Sequence, residues 1–417
     1  MIKKRTGRRT IGIVFIAFLF VISCSTSSTA PEKSVVNPRL DRLVEEGLKE
    51  NSYSGAVLLV TRDGKTVHRK AYGFAREYDY NAARLESPEL MTMEHLFDVA
   101  SMTKVFSTTF GIMLLVDKGS IRLEDPVCAY IPSFCEKEKK NITIRNLLAH
   151  RAGLYPWKPV YYHASNKDES LSYIASLPLR YPAGEAYHYS DLGFMILGYI
   201  IESVSGKPLD TYLGENLYAP LGLKNITFRP GEKGYMKIAA TSQGNPFEYK
   251  MIAEDGFGFD CDEKIDAFHG WRHYTLHGEV NDGNSYYAHG GVAGHAGLFA
   301  TAGDLETLAG LLVNRGALNK EMVIKPETID AFLQPDEFGN GLGWSLNPEF
   351  IKAESAPPGT FGHTGFTGCN VVVVPDRKIV IIFLTNRQHR GPGTSGLYPN
   401  LNGLRRAIVA TVLEENP

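Results

Sequence analysis

Two dipeptide turns, one near each end of the chain, constrain the fold more than any other feature. Asp63-Gly64 separates the apolar-rich runs 56–60 and 66–72, and an Asp-Gly pair readily supplies the positive φ angles of a tight hairpin. Pro375-Asp376 separates runs 370–374 and 378–385, whose nearly unbroken Val and Ile content fits strands covered on both faces. Helical apolar spacing is found at 38–50 (Leu40, Leu43, Val44, Leu48), 104–118, 144–150, 192–203 and 305–315. The pattern predicts an α/β (α+β) fold: one central antiparallel sheet formed by both chain ends and flanked by helices, with a mostly helical lobe inserted. Residues 231–284 are polar and irregular and yield no assignment.

The amino end obeys different rules. Lys3, Lys4, Arg5, Arg8 and Arg9 precede an apolar run at 11–22, too short to span a bilayer comfortably, and small residues then surround Cys24. The string Val21-Ile22-Ser23-Cys24 resembles a bacterial lipobox, which implies cleavage before Cys24 and lipidation of its thiol. Residues 1–23 are therefore expected to be a lipoprotein signal peptide. Residues 24–37, rich in Ser, Thr and Pro, read as a flexible tether, and 38–417 as the folded domain. Export to the cell envelope and membrane attachment through the lipid follow from that reading, on the periplasm-facing membrane if the source is Gram-negative.

Removing the five leader cations from 44 basic residues leaves 39 against 46 acidic ones, a balance of −7 that gives no bulk attraction to nucleic acid. Cys128, Cys135, Cys261 and Cys369 remain after Cys24. Cys128 and Cys135 are close enough to staple one loop, though isolated thiols fit the spacing equally well. No metal site is expected: His269, His273 and His277 have helical spacing, but Gly270 and Gly278 argue against a helix there. Gly391-Pro392-Gly393-Thr394-Ser395-Gly396 follows a hairpin and not a βαβ unit, which argues against dinucleotide binding. No Gly-x-Ser-x-Gly occurs, against an α/β-hydrolase nucleophile elbow.

Ser101-Met102-Thr103-Lys104 is the only Ser-x-x-Lys in the chain, and it opens a helical pattern. Residues three apart share a helix face, so the Lys104 nitrogen is expected beside the Ser101 hydroxyl. The helix start also offers free N–H groups where an oxyanion would form. Taken alone, the tetrad reads equally well as a helix cap followed by a solvated lysine.

Its surroundings separate the two readings. The strings Phe97-Asp98-Val99-Ala100-Ser101-Met102-Thr103-Lys104, Ile142 through Leu154, Tyr189-Ser190-Asp191 and His363-Thr364-Gly365 fall in the order of the motifs of the serine β-lactamase and DD-peptidase superfamily. The chain resembles that family over nearly all of residues 40–412, most closely the class C β-lactamase, esterase and DD-peptidase branches. The resemblance implies a serine hydrolase without metal or organic cofactor. Ser101 would attack an amide or ester, and Lys104 and Tyr189 would share the proton work. Ser101 and Phe366 would offer oxyanion N–H groups. His363, Thr364 and Gly365 would line the substrate.

Two departures bear on substrate. The family's Asn is here Asp191, an acceptor that brings negative charge, and the Lys of Lys-Thr-Gly is here His363, which is not a permanent cation. Both point away from a dedicated β-lactamase, toward a DD-peptidase-like, penicillin-binding enzyme acting on peptidoglycan stem peptides. An esterase or β-lactamase is the alternative, and a non-turnover peptidoglycan- or β-lactam-sensing lipoprotein is a third. β-Lactams are expected as ligands, inhibitors or poor substrates. The segment 289–299, with four glycines among eleven residues, resembles a site-edge segment of the family and makes His295 a further candidate for the cleft.

Overall fold

A computed structural model describes residues 1–2, 35–259, 261–346 and 355–414. The expected signal peptide, most of the tether and the Cys24 lipidation site lie outside these. Asn37 caps the first helix, α1 (Pro38–Lys49), by accepting from the N–H groups of Arg39 and Leu40, and Pro38 takes the first helical position where its missing N–H costs nothing.

Both hairpins form. Strands β1 (Gly55–Arg62) and β2 (Lys65–Tyr78) meet at Asp63-Gly64, where both residues take positive φ. After β3 (Arg84–Leu90), the chain returns to the sheet only at β4 (Ser345–Leu346), β5 (Phe361–Thr364), β6 (Asn370–Val374) and β7 (Ile379–Thr385). The order is β3-β2-β1-β7-β6-β5-β4, antiparallel throughout, so the two chain ends join where Leu58 faces Phe383. The unbroken apolar runs follow from burial on both faces. One face, with Ala56, Leu58, Val60, Val372 and Ile381, packs on α1 and the last helix (Asn402–Glu414) through Leu40, Val44, Ile408 and Val412. The other, with Val57, Leu59, Val371, Val373 and Ile382, meets the inserted helices.

The inserted helices include α2 (Phe110–Asp117), α3 (Ile144–Leu148), α4 (Asp191–Ser205), α5 (Pro246–Ala253) and α6 (Ala302–Val313), and α7 at Asn402–Glu414 closes the chain's helices. The helical pattern at 104–118 forms a helix, but its first turns are wound differently: a 3₁₀ turn at Ala100–Met102 leads in, and a widened π-helical stretch at Lys104–Thr109 runs directly into α2. Widened turns of this kind recur at functional sites. Residues 231–284 contribute α5 and otherwise run mostly as irregular backbone. A disulfide joins Cys128 and Cys135, while Cys369 is a buried thiol.

Candidate active site

The Ser101 turn is forced by its neighbours. Phe97–Asp98 pairs with Leu298–Ala300, and the chain then reverses sharply: Ala100 takes φ +45°, a left-handed conformation that costs a non-glycine residue about 1–2 kcal/mol. The Asp98 carboxylate offsets that strain by accepting the Ala100 N–H at 2.8 Å and the Asn281 N–H at 2.6 Å. From the opposite side Gly365 presses on the same turn. A methyl group there would stand 2.3 Å from the Val99 carbonyl, so only glycine lets the end of β5 approach Ser101 this closely.

Lys104 is fully buried directly behind the serine. Its ammonium nitrogen lies 3.1 Å from Ser101 Oγ, 3.1 Å from the His295 carbonyl and 2.7 Å from Asp191 Oδ1. Two of its N–H groups thus meet acceptors, Ser101 Oγ and the His295 carbonyl. The Asp191 contact is close enough for an ion pair but poorly aligned as a hydrogen bond. Burial pulls the Lys104 pKa down, yet Asp191 and Tyr189 more than reverse this and leave it above its ordinary value. Lys104 is held as a cation.

Tyr189 ends the loop before α4, with its ring 4.9 Å from the Lys104 nitrogen and its hydroxyl in contact with Ser101 and Lys104. Burial raises its pKa, Lys104 pulls it back, and Asp191 raises it again, leaving a net increase. His150 builds this corner, and although it stands in a quoted motif, sequence reasoning assigned it no role. It takes φ +56° just beyond α3, accepts the Ser190 N–H on Nδ1 at 3.0 Å, and packs its ring 4.5 Å from that of Tyr189. Burial and then the charge of Lys104 hold it neutral, as an acceptor must be.

His363 on β5 faces Tyr189 at 6.2 Å between rings. Burial, aided by Lys104, pushes its pKa down to about 4, and its Nδ1 pairs with the Thr364 carbonyl at 2.8 Å. A carbonyl only accepts, so Nδ1 carries the proton and Nε2 presents a lone pair. At neutral pH His363 accepts a hydrogen bond from the cleft. It has no charge with which to hold a carboxylate.

Phe366 is 38% exposed at the cleft rim, and among the described residues nothing accepts its N–H. His295 is 1% exposed and does not line the cleft; its ring pairs with Asp282, and its carbonyl accepts from Lys104.

A cleft of about 470 Å³ gathers Ser101, Tyr189, His363, Thr364, Gly365 and Phe366 with two residues that sequence reasoning missed, Arg387 and Arg405. Arg387, just after β7, donates to the carbonyls of Phe366 and Pro399; Arg405, on α7, donates to the Gly368 carbonyl at 2.7 Å and to Asn402 at 3.1 Å. Burial pushes both pKa values down to about 10. Among the described residues neither guanidinium has a carboxylate partner.

A sheet closed by both chain ends over a helical lobe, with a serine and a buried lysine meeting in the cleft between, defines a serine hydrolase of the penicillin-recognising type. The family model for β-lactamases matches residues 40–402, and the chain belongs to that family. It is 33% identical over 426 residues to a protein of Escherichia coli strain K12 named as a D-alanyl-D-alanine carboxypeptidase, covering 94% of each chain. It is also 33% identical over 373 residues to the N-acetylmuramyl-L-alanine amidase of Bacillus subtilis strain 168, covering 84% of this chain and 81% of the amidase. Among solved structures, the hydrolase EstCE1 superposes with a TM-score of 0.67 at 20% identity, over 89% of this chain and 97% of EstCE1. A class C β-lactamase from Rhodobacter sphaeroides gives 0.64 at 18% identity, over 90% and 100%.

Proposed function

We propose that this enzyme is a DD-carboxypeptidase-like serine hydrolase of the cell envelope, acylated at Ser101 by peptide donors that end in a free carboxylate. The observation that carries this reading is the pair of guanidiniums, Arg387 and Arg405, in the same cleft as Ser101 and, among the described residues, without a carboxylate partner. A buried cation lacking a counter-ion is costly, and a ligand carboxylate relieves that cost through charge-assisted, bidentate hydrogen bonds. The neutral His363 leaves that task to the arginines. The name of the Escherichia coli relative points to the same substrate class.

In this reading the Tyr189–Lys104 pair first gives up one proton to solvent, leaving a Tyr189 phenolate beside the Lys104 ammonium, and the Ser101 hydroxyl then attacks the scissile carbonyl and passes its proton to that phenolate. The Ser101 and Phe366 N–H groups stabilise the oxyanion, and the pair returns the proton to the leaving amine. Water then attacks the acyl-serine, aided by the same pair. Asp191 holds Lys104 charged throughout, so Lys104 steers the proton through its field while the Tyr189 oxygen carries it. Export, cleavage before Cys24 and lipid anchoring belong to the same proposal, as does the domain beginning at residue 38, because they bring the enzyme beside stem peptides.

The test pairs a D-Ala-D-Ala peptide with labelled penicillin, each followed by intact-mass spectrometry. Wild type releases D-Ala and gains a penicillin adduct; Ser101→Ala does neither, losing at least about 10³-fold in turnover. Equal turnover by both proteins overturns the reading. An adduct without turnover of any peptide or ester identifies a sensor instead.

A further inference from the structure

Three oxygens surround the Lys104 ammonium, and the His295 carbonyl among them belongs to a segment with little stiffness of its own. Gly290, Gly291, Gly294 and Gly297 surround it, three of them at positive φ. Yet this backbone is pinned at successive points by the helix that carries Lys104 and by the turn at Asn284–Ala288. The Gly294 carbonyl accepts from Thr108 Oγ1 at 2.6 Å, the His295 carbonyl from Lys104 at 3.1 Å, and the Ala296 carbonyl from Ser285 Oγ at 3.1 Å. Thr103 then accepts the Leu298 N–H at 3.1 Å.

Between Gly294 and Gly297, His295 is the one residue with a polar side chain. Its Nε2 lies 2.8 Å from Asp282 Oδ1, and that same oxygen accepts the Ser285 N–H at 2.7 Å. Asp282 and Ser285 therefore grip two successive residues of the strap from one turn. We propose that Asp282 and His295 form a positioning pair for Lys104. The carboxylate fixes the imidazole, and the imidazole fixes the carbonyl that takes one hydrogen of the ammonium whose other hydrogens face Ser101 and Asp191. This rests on the reading of Ser101 and Lys104 given above and adds to it two residues that touch neither substrate nor serine.

The electrostatics agree. Burial works to raise the Asp282 pKa, but His295, the Ser285 N–H and Lys104 outweigh it and keep Asp282 ionised. The other charged or titratable groups around the pair are Glu248, Asp98, Arg272 and His289. Burial and the neighbouring Asp282 raise the Glu248 carboxyl far above the usual range, while burial pushes His289 down to about 4. Burial thus disfavours charge on Glu248 and His289, while Asp282 is an anion whose field reaches Lys104. Removing its charge makes loss of a proton from the Tyr189–Lys104 pair easier.

The pair is tested by the pH dependence of p-nitrophenyl butyrate hydrolysis. Asp282→Asn lowers the plateau rate about 10- to 100-fold, the cost of a misplaced catalytic group, and moves the rise of kcat to lower pH. His295→Gln, whose amide N–H still reaches Asp282, stays within about threefold of wild type, whereas His295→Ala matches Asp282→Asn. The double variant Asp282→Asn with His295→Ala is no slower than His295→Ala alone. A rise that stays in place in Asp282→Asn overturns the pair, because a merely structural aspartate changes the plateau without moving the titration. His295→Ala as active as His295→Gln overturns it too. If His295→Ala does not fold, the shift in Asp282→Asn decides alone. Ser101→Ala separates the two levels: if it still turns over ester, the serine reading fails. If it is inactive while Asp282→Asn behaves as wild type, only the pair fails.

Discussion

The cleft holds cations at two corners, and the protein treats them in opposite ways. At one, Lys104 has its counter-ion built in: Asp191 at 2.7 Å, with Ser101 and His295 completing its shell. At the other, Arg387 and Arg405 are surrounded by carbonyls, an amide and aromatic rings, with no carboxylate among the described residues. A cation that must orient a proton at every turnover is neutralised in advance. Cations that must attract a ligand are left unneutralised. The difference separates chemistry from recognition within a single cleft.

Three experiments test that division, from the largest effect to the smallest. Arg387→Gln or Arg405→Gln raises KM for a carboxylate-ending peptide about 10- to 100-fold, the worth of one charged hydrogen-bonding partner, and leaves hydrolysis of an uncharged ester nearly unchanged. Equal losses on both substrates would make the arginines structural and erase the contrast. Asp191→Asn acts at the other corner. Asp191 raises the pKa of both Lys104 and Tyr189, so its removal lowers both, and the rise of kcat moves to lower pH while KM for the peptide changes little. A pH profile that moves up or stays fixed contradicts the role of Asp191 as built-in counter-ion. Reducing the Cys128–Cys135 disulfide, which lines neither corner, costs about 2–3 kcal/mol of stability by the loop-entropy model. It is seen as a lower Tm with unchanged kcat and KM at 25 °C.

Legibility in the sequence follows the same divide. The hairpins, the sheet built from both ends and the catalytic candidates rest on local signals: turn dipeptides, apolar runs and short motifs. The widened turn at Lys104–Thr109 leaves no comparable mark, because it keeps the apolar periodicity of an ordinary helix. Arg387 and Arg405 look like ordinary surface residues in sequence, since what distinguishes them is the lack of a carboxylate partner among the described residues, a property of the assembled fold. His150 had a visible motif, but its use as an acceptor for the Ser190 N–H appears only when α3 and α4 meet. His295 was expected as a candidate for the cleft; the glycines that prompted this instead let its carbonyl approach Lys104. Residues 231–284 lack periodicity because side-chain ties hold them together, such as Arg272 to Asn245 and to the carbonyls of Val280 and Asn281.

The seam where Ala56 faces Thr385 has a consequence for how the protein is made. Synthesis runs from the amino end, so β1, β2 and β3 exist long before β7 arrives, with the edge of β1 exposed for as long as the intervening chain takes to emerge. Such an edge is a template for pairing with another chain. Closing the seam also requires most of the polypeptide as one loop, a contact order that slows folding. Vulnerability to aggregation is therefore concentrated in the newborn chain, and the last strand and helix to appear end it by sealing the sheet and bringing the two arginines to the serine.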